Sequence, residues 1–140
     1  MAIPPTIVSA ASAPSVSITV NDTSLELGQK TSYTATAKGN GYLLNTVTLG
    51  ISYYVDEDDY DAGNATNYVY QRNTGLSVSS KTLNGTFKTS SGSYVTGTEN
   101  DGTGSRKLYT DNIGIYTITI TAYSSDPPFG ILIIGNSSFK

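Results

Sequence analysis

Residues 116–122 read Tyr-Thr-Ile-Thr-Ile-Thr-Ala, and this stretch decides the fold because its apolar and hydroxyl side chains alternate strictly. Successive side chains of a β-strand point to opposite faces. The pattern therefore places Tyr116, Ile118, Ile120 and Ala122 on one face and every threonine on the other. It predicts a strand that covers a core with one face and meets solvent with the other.

The same alternation recurs in residues 15–20 (SVSITV), 32–37 (SYTATA) and 47–55 (VTLGISYYV). Shorter candidate strands, separated by clusters of Gly, Asn and Ser, occur at residues 68–70, 76–78, 86–88, 94–95 and 107–109. Residues 131–134 are apolar in both alternating positions, which predicts a last strand covered on both faces. Short strands joined by turns predict an all-β protein.

The length of 140 residues fits one domain. Residues 1–14 (MAIPPTIVSAASAP) carry no charge and are interrupted by prolines, so we expect an extended N-terminal arm. Residues 15–140 are expected to form one antiparallel β-sandwich. Because the chain has no cysteine, packing and hydrogen bonding must hold this domain together.

The composition argues against several classes of function. The chain has no histidine, the commonest general base and transition-metal ligand, so we expect no enzymatic activity. A net charge of −3 gives no basic stripe for phosphates, so we expect no nucleic acid partner. No run reaches the roughly 18 apolar residues of a membrane helix, so no membrane span is expected.

Two segments resemble prokaryotic immunoglobulin-like (Ig-like) modules of surface, filament and virion proteins. Residues 15–37 are similar to the first two strands of that family, joined through Leu25-Glu-Leu-Gly28. Residues 112–122 are similar to its penultimate strand, where a Gly-x-Tyr entry supplies a tyrosine corner. The core tryptophan of the third strand is absent, and Tyr53 or Tyr54 is its nearest substitute. The resemblance implies an Ig-like sandwich that binds or assembles without chemistry of its own, and a jelly roll is the alternative fold.

An acidic run follows the third predicted strand. Its carboxylates at Asp56, Asp58, Asp59 and Asp61 are the hard oxygen ligands that Ca²⁺ prefers. The order of residues does not fit an EF-hand loop. Calcium is therefore one hypothesis for this run, and a solvated loop is the other. No other cofactor is expected, and carboxylates so close in sequence offer no opposed pair for glycoside hydrolysis.

Glycans enter the predictions in two ways. Four sequons, at Asn21, Asn64, Asn84 and Asn136, would mark glycan-bearing surface turns in an exported protein. Ordinary turn chemistry in a chain rich in Asn, Ser and Thr explains them equally. Exposed tyrosines also offer flat platforms for sugar rings, and the candidates are Tyr53-Tyr54 and Tyr68-x-Tyr70.

The two ends of the chain are uncharged, since residues 1–21 and 127–139 contain no Asp, Glu, Lys or Arg. Uncharged strands with free edges invite pairing with another chain. The predicted assembly residues are Thr6, Ile7 and Val8 near one end and Ile131, Leu132, Ile133 and Ile134 near the other. We expect a structural or adhesive subunit of a virion surface or cell-surface filament, whose partners are copies of itself or neighbouring structural subunits. The alternative is a module that binds glycans or calcium.

Overall fold

Segments with alternating apolar and polar side chains form β-strands along most of the chain. The computed structural model describes residues 15–99, 104–124 and 132–139, so the predicted arm at residues 1–14 lies outside the described residues. The strands are β1 (Ser15–Val20), β2 (Lys30–Lys38), β3 (Thr46–Tyr54), β4 (Asn67–Asn73), β5 (Ser80–Lys88), β6 (Tyr94–Thr98), β7 (Ser105–Tyr109), β8 (Ile115–Tyr123) and β9 (Leu132–Phe139). One short helix, α1, spans Glu57–Ala62.

The strands form two antiparallel sheets. The three-stranded sheet has the order β1-β2-β5, and the six-stranded sheet has the order β7-β6-β4-β3-β8-β9. Within them, β9-β8-β3-β4 corresponds to the G-F-C-C′ order of a variable-type immunoglobulin sheet, and β1-β2-β5 corresponds to A-B-E. The predicted all-β fold class, an antiparallel sandwich of two sheets, is confirmed.

The core lies between the sheets and is filled by the predicted alternating residues. Tyr33, Ala35 and Ala37 of β2 are buried, as are the apolar residues of β3 and β8. The prediction that every threonine of β8 meets solvent is wrong for Thr117, which is only 7% exposed. The reason is position in the sheet, because Thr117 lies on an interior strand, between β3 and β9, and pairs with Ser52 of β3.

The weaker candidate strands have mixed outcomes. Residues 68–70, 86–88, 94–95 and 107–109 lie within strands β4, β5, β6 and β7. Residues 76–78 were predicted as a strand, but they form only an isolated bridge between Val78 and Leu44. Val55 was predicted to continue β3, but it lies beyond the strand and is half exposed.

The last strand begins where the sequence predicts it. Leu132 pairs with Ala122 and Phe139 pairs with Ile115, so β9 runs antiparallel to β8. The prediction that this strand is covered on both faces concerns side chains outside the described part of the structure. Ile131 also lies outside it.

Tyr116 forms the predicted tyrosine corner. Its side chain is fully buried, and its hydroxyl donates a hydrogen bond of 2.8 Å to the carbonyl oxygen of Asn112. The ring packs 4.8 Å from that of Tyr53 and 5.0 Å from that of Phe87, centroid to centroid. Since Phe87 belongs to β5, this aromatic cluster joins the two sheets.

The β6–β7 hairpin is inserted between β5 and β8 and closes one side of the sandwich. Leu108 of β7 is buried in the core, and Val95 of β6 packs partly against it. Beyond β7, the Thr110 hydroxyl donates to the carbonyl oxygen of Lys88 at the end of β5. The hairpin is thereby tied to both sheets.

We expect Tyr116→Phe to lower the free energy of unfolding by about 1–2 kcal/mol, because the Asn112 carbonyl loses its buried partner while the ring packing is kept. The matched control is Tyr109→Phe, whose side chain is 46% exposed and should change little. Urea titration followed by circular dichroism measures both variants. Equal stability of the two variants would contradict a structural role for the Tyr116 hydroxyl.

Burial raises the pKa of Tyr116, and also of Tyr33 and Tyr53, above the usual value for tyrosine. The unfolded chain loses these phenolic protons near pH 10, whereas the folded chain keeps them. Stability is therefore complete below about pH 10 and falls as the pH rises towards the folded-state pKa. Urea titrations between neutral pH and pH 11 should show this fall, and it should be smaller in Tyr116→Phe. A pH-independent stability over that range would refute the expectation.

Candidate functional site

The edge strands of the sandwich differ in charge. β1 (SVSITV) and β9 (LIIGNSSF) contain no charged residue, and they lie close to each other across the two sheets. Each stands at one end of its sheet among the described strands. One side of the sandwich is therefore bordered by two uncharged strands.

The opposite end of the six-stranded sheet is charged. β7 carries Arg106 and Lys107 at its centre. The Arg106 guanidinium lies 4.5 Å from the ring centroid of Tyr68 and forms an ion pair of 3.4 Å with Glu99. The Lys107 amine lies 4.6 Å from the ring centroid of Tyr94. Charges at the centre of an edge strand oppose pairing with another chain, so this end is protected.

The predicted assembly residues are placed in part. Leu132, Ile133 and Ile134 open β9, opposite Ala122, Thr121 and Ile120 of β8. Thr6, Ile7, Val8 and Ile131 lie outside the described residues. The structure therefore assigns three of the predicted residues to an uncharged strand at the end of a sheet.

The centre of the outer face of the three-stranded sheet is uncharged and rich in hydroxyl groups. The contributing residues are Ser15, Ser17 and Thr19 of β1, Ser32, Thr34 and Thr36 of β2, and Ser80, Thr82, Asn84 and Thr86 of β5. They face neighbours of the same kind across the strands, and the Thr36 and Thr82 hydroxyl oxygens are 3.4 Å apart. Lysines lie only towards the ends of these strands.

The acidic run is a helix, so its interpretation as a loop is wrong. The Asp56 carboxylate accepts a hydrogen bond of 2.9 Å from the Asp59 backbone N–H, which caps the first turn of α1. Gly63 ends the helix in the left-handed conformation, with φ of 74°. Acidic residues in the first turn also interact favourably with the positive end of the helix dipole. These two caps explain why the run is helical.

The helix gives the calcium hypothesis no support. Asp58, Asp59 and Asp61 lie on α1, and none of their side chains is buried. Across residues 15–99 and 104–124, no group of three or more acidic side chains lies close enough together to hold a metal ion. In this structure Asp56 caps the helix instead.

The sequons lie in turns and in strands. Asn21 follows β1 and Asn64 follows α1, and both side chains are exposed. Asn84 is exposed too, but it lies within β5, and Asn136 lies within β9. The expectation that all four mark turns is therefore wrong for two of them, and the three described side chains are exposed.

The tyrosines divide into core and surface residues. Tyr53 is 9% exposed and its hydroxyl donates a hydrogen bond of 2.7 Å to the carbonyl oxygen of Ile113, so it is not a sugar platform. Tyr68 and Tyr70 remain candidates, since both are half buried and their ring centroids are 5.4 Å apart. Tyr54 contacts Tyr60 of α1 edge to face, with 5.4 Å between centroids.

The Tyr68–Tyr70 pair has cations at both ends, which the sequence analysis did not identify. Arg106 covers Tyr68, and Arg72 lies 5.7 Å from the ring centroid of Tyr70. The Tyr70 ring also lies across Gly50, where an added Cβ would be 3.1 Å from the ring. The spacing of Tyr70 and Arg72 places both on one face of β4 and was visible in the sequence. The approach of Arg106 depends on the hairpin and left no sequence signal.

Lys30 and Lys38 are exposed at the two ends of β2. Burial raises the pKa of Tyr33, Tyr53 and Tyr116, and these three side chains pack in the core. Among the described residues, no helix is long and apolar enough to cross a membrane.

No protein-family model matches the chain, and no curated protein matches it in sequence. The proposed function therefore rests on the fold and on the distribution of charge over the edges of the two sheets.

Proposed function

We propose that this chain is a non-enzymatic structural or adhesive subunit of an extracellular surface assembly, such as a virion surface or a cell-surface filament. Copies of the same chain, or neighbouring structural subunits, are its partners. The uncharged terminal segments are the parts that bind them. In this proposal the subunits are held together by the surface that they bury between them.

The observation that supports this proposal is the contrast between the edges of the sandwich. β9 is uncharged and stands at one end of the six-stranded sheet, whereas β7 at the other end carries Arg106 and Lys107. Exposed edge strands of monomeric proteins are usually protected by such charges. An edge without them suits a strand that is covered in an assembly. The resemblance to Ig-like surface modules supports the same proposal.

The location of the neutral segments adds to this support. Residues 1–14 lead directly into β1, and the uncharged residues 127–131 lead into β9. Because β1 and β9 are neighbours across the sheets, both segments join the same side of the domain. An uncharged interface costs little desolvation free energy compared with a charged one.

We expect the full chain to form oligomers or filaments and the double variant Ile7→Lys/Val8→Lys to remain monomeric, because two charges in the predicted strand oppose its burial. The matched control is Lys107→Gln at the protected edge, which should leave assembly unchanged. Light scattering and electron microscopy measure the outcome, with circular dichroism to check folding. A folded monomer in all three cases would contradict the proposed assembly.

A second candidate function is recognition of glycans by the Tyr68–Tyr70 pair. Two neighbouring half-buried rings with guanidinium groups beside them provide stacking surfaces and hydrogen-bond donors for a sugar.

If this second function holds, Tyr68→Ala abolishes binding to a glycan array, whereas Tyr94→Ala on the β6–β7 hairpin leaves binding intact. Light scattering on the same samples shows whether assembly is unaffected. Failure of the wild-type chain to bind any glycan would rule out this candidate and leave the structural proposal standing.

A further inference from the structure

The three-stranded sheet ends at β5, and the outer edge of this strand lacks a partner among the described strands. β5 pairs with β2 over its whole length, from Lys88 opposite Lys30 to Ser80 opposite Lys38. Residues of an antiparallel pair alternate in the direction of their N–H and C=O groups, so about half of the backbone groups of β5 point to this outer edge.

The outer edge of β5 is unprotected along its centre. Residues 82–86 (Thr-Leu-Asn-Gly-Thr) contain no charge and no proline, in contrast to the centre of β7. Leu83 packs against the core but is only partly buried, so a further strand beside β5 would cover it. The edge therefore offers both backbone hydrogen bonds and apolar area.

An immunoglobulin sandwich places a strand D next to strand E, which β5 represents here. In this chain the segment between β4 and β5 does not supply that strand. Its backbone instead bonds across the end of the sandwich, where Leu76 N–H donates to the Asn45 carbonyl and Val78 bridges Leu44. The position of strand D is thus open among the described residues.

We propose that residues 1–14 of a second copy of the chain pair with the outer edge of β5 and complete this sheet as its fourth strand. The inference rests on the proposed function and names the acceptor of the terminal segment. Residues 6–10 (Thr-Ile-Val-Ser-Ala) suit the role, because they are uncharged, partly β-branched and free of proline. Main-chain hydrogen bonds then provide affinity, as in other strand additions.

The described chain begins at Ser15 of β1, on the far side of its own sheet from the acceptor edge. Ser15 pairs with Lys38, and Lys38 pairs with Ser80, so β1 and β5 lie on opposite sides of β2. We therefore assign the donor role to a second copy of the chain. Donor and acceptor are then different surfaces, and such a head-to-tail contact propagates into a filament or closes into a ring.

Disulfide mapping tests the acceptor edge directly, since the chain has no native cysteine. Full-length donors carry Ile7→Cys or Val8→Cys, because neighbouring residues of a strand point to opposite faces. Full-length acceptors carry Thr82→Cys or Asn84→Cys in β5, and both positions are exposed. The matched controls are Ser17→Cys in β1 and Lys107→Cys in β7, which are exposed residues of the other edges.

Donors and acceptors are mixed, oxidised and separated on a non-reducing gel after circular dichroism has shown that each is folded. A disulfide forms only where two Cα atoms approach within about 7 Å. We expect a donor–acceptor dimer with the β5 acceptors and its loss with the β1 and β7 controls. Two β5 acceptors are used so that one poorly folded variant does not decide the outcome.

Three results would overturn the inference in distinguishable ways. Dimers through the β1 or β7 position, in a chain that assembles, assign the acceptor to another edge and leave the proposed function intact. An internal disulfide in a monomeric Ile7→Cys/Thr82→Cys double variant shows that the segment pairs with its own copy. No cross-link in any donor–acceptor mixture, together with a wild-type chain that light scattering shows to be monomeric, overturns both proposals.

Discussion

The contact between Tyr116 and its aromatic neighbours is the constraint on which the sandwich depends. The hydroxyl holds the loop before β8 through the Asn112 carbonyl, and the ring contacts Tyr53 of its own sheet and Phe87 of the opposite sheet. The Tyr53 hydroxyl fixes the adjacent carbonyl of Ile113. In a chain without cysteine, this cluster takes the place of the inter-sheet disulfide of antibody domains.

The alternation of side chains within a segment made four strands predictable. Contacts between segments distant in sequence could not be predicted in this way. Strands β1, β2, β3 and β8 followed from their period of two, and Tyr116 followed from its Gly-x-Tyr entry. The burial of Thr117 depends on which strands flank β8. Residues 76–78 were predicted as a strand but form only an isolated bridge. The helix at Asp56 was predictable, because an Asp cap, an acidic first turn and a closing Gly63 are its sequence signals.

The candidate assembly surface could be predicted from the distribution of charge along the sequence better than from the arrangement of the strands. The neutral ends of the chain were evident in the sequence, and the fold brings β1 and β9 to one side of the domain. The open edge of β5 was not evident, because it follows from the missing strand beside it. The cation on Tyr68 also required the fold, since Arg106 reaches it from the inserted hairpin. The surroundings of a sheet edge thus depend on strands that are distant in sequence, and the pattern of a single strand does not reveal them.

Hydrogen exchange tests the central claim, assembly by strand addition, most directly. The exchange of backbone amides in the assembled chain is compared with that in Ile7→Lys/Val8→Lys by mass spectrometry at the same protein concentration. We expect new protection in the peptides that cover residues 82–86 and 6–10, because their backbone groups become paired on assembly. Assembly without any change of protection in β5 would contradict it.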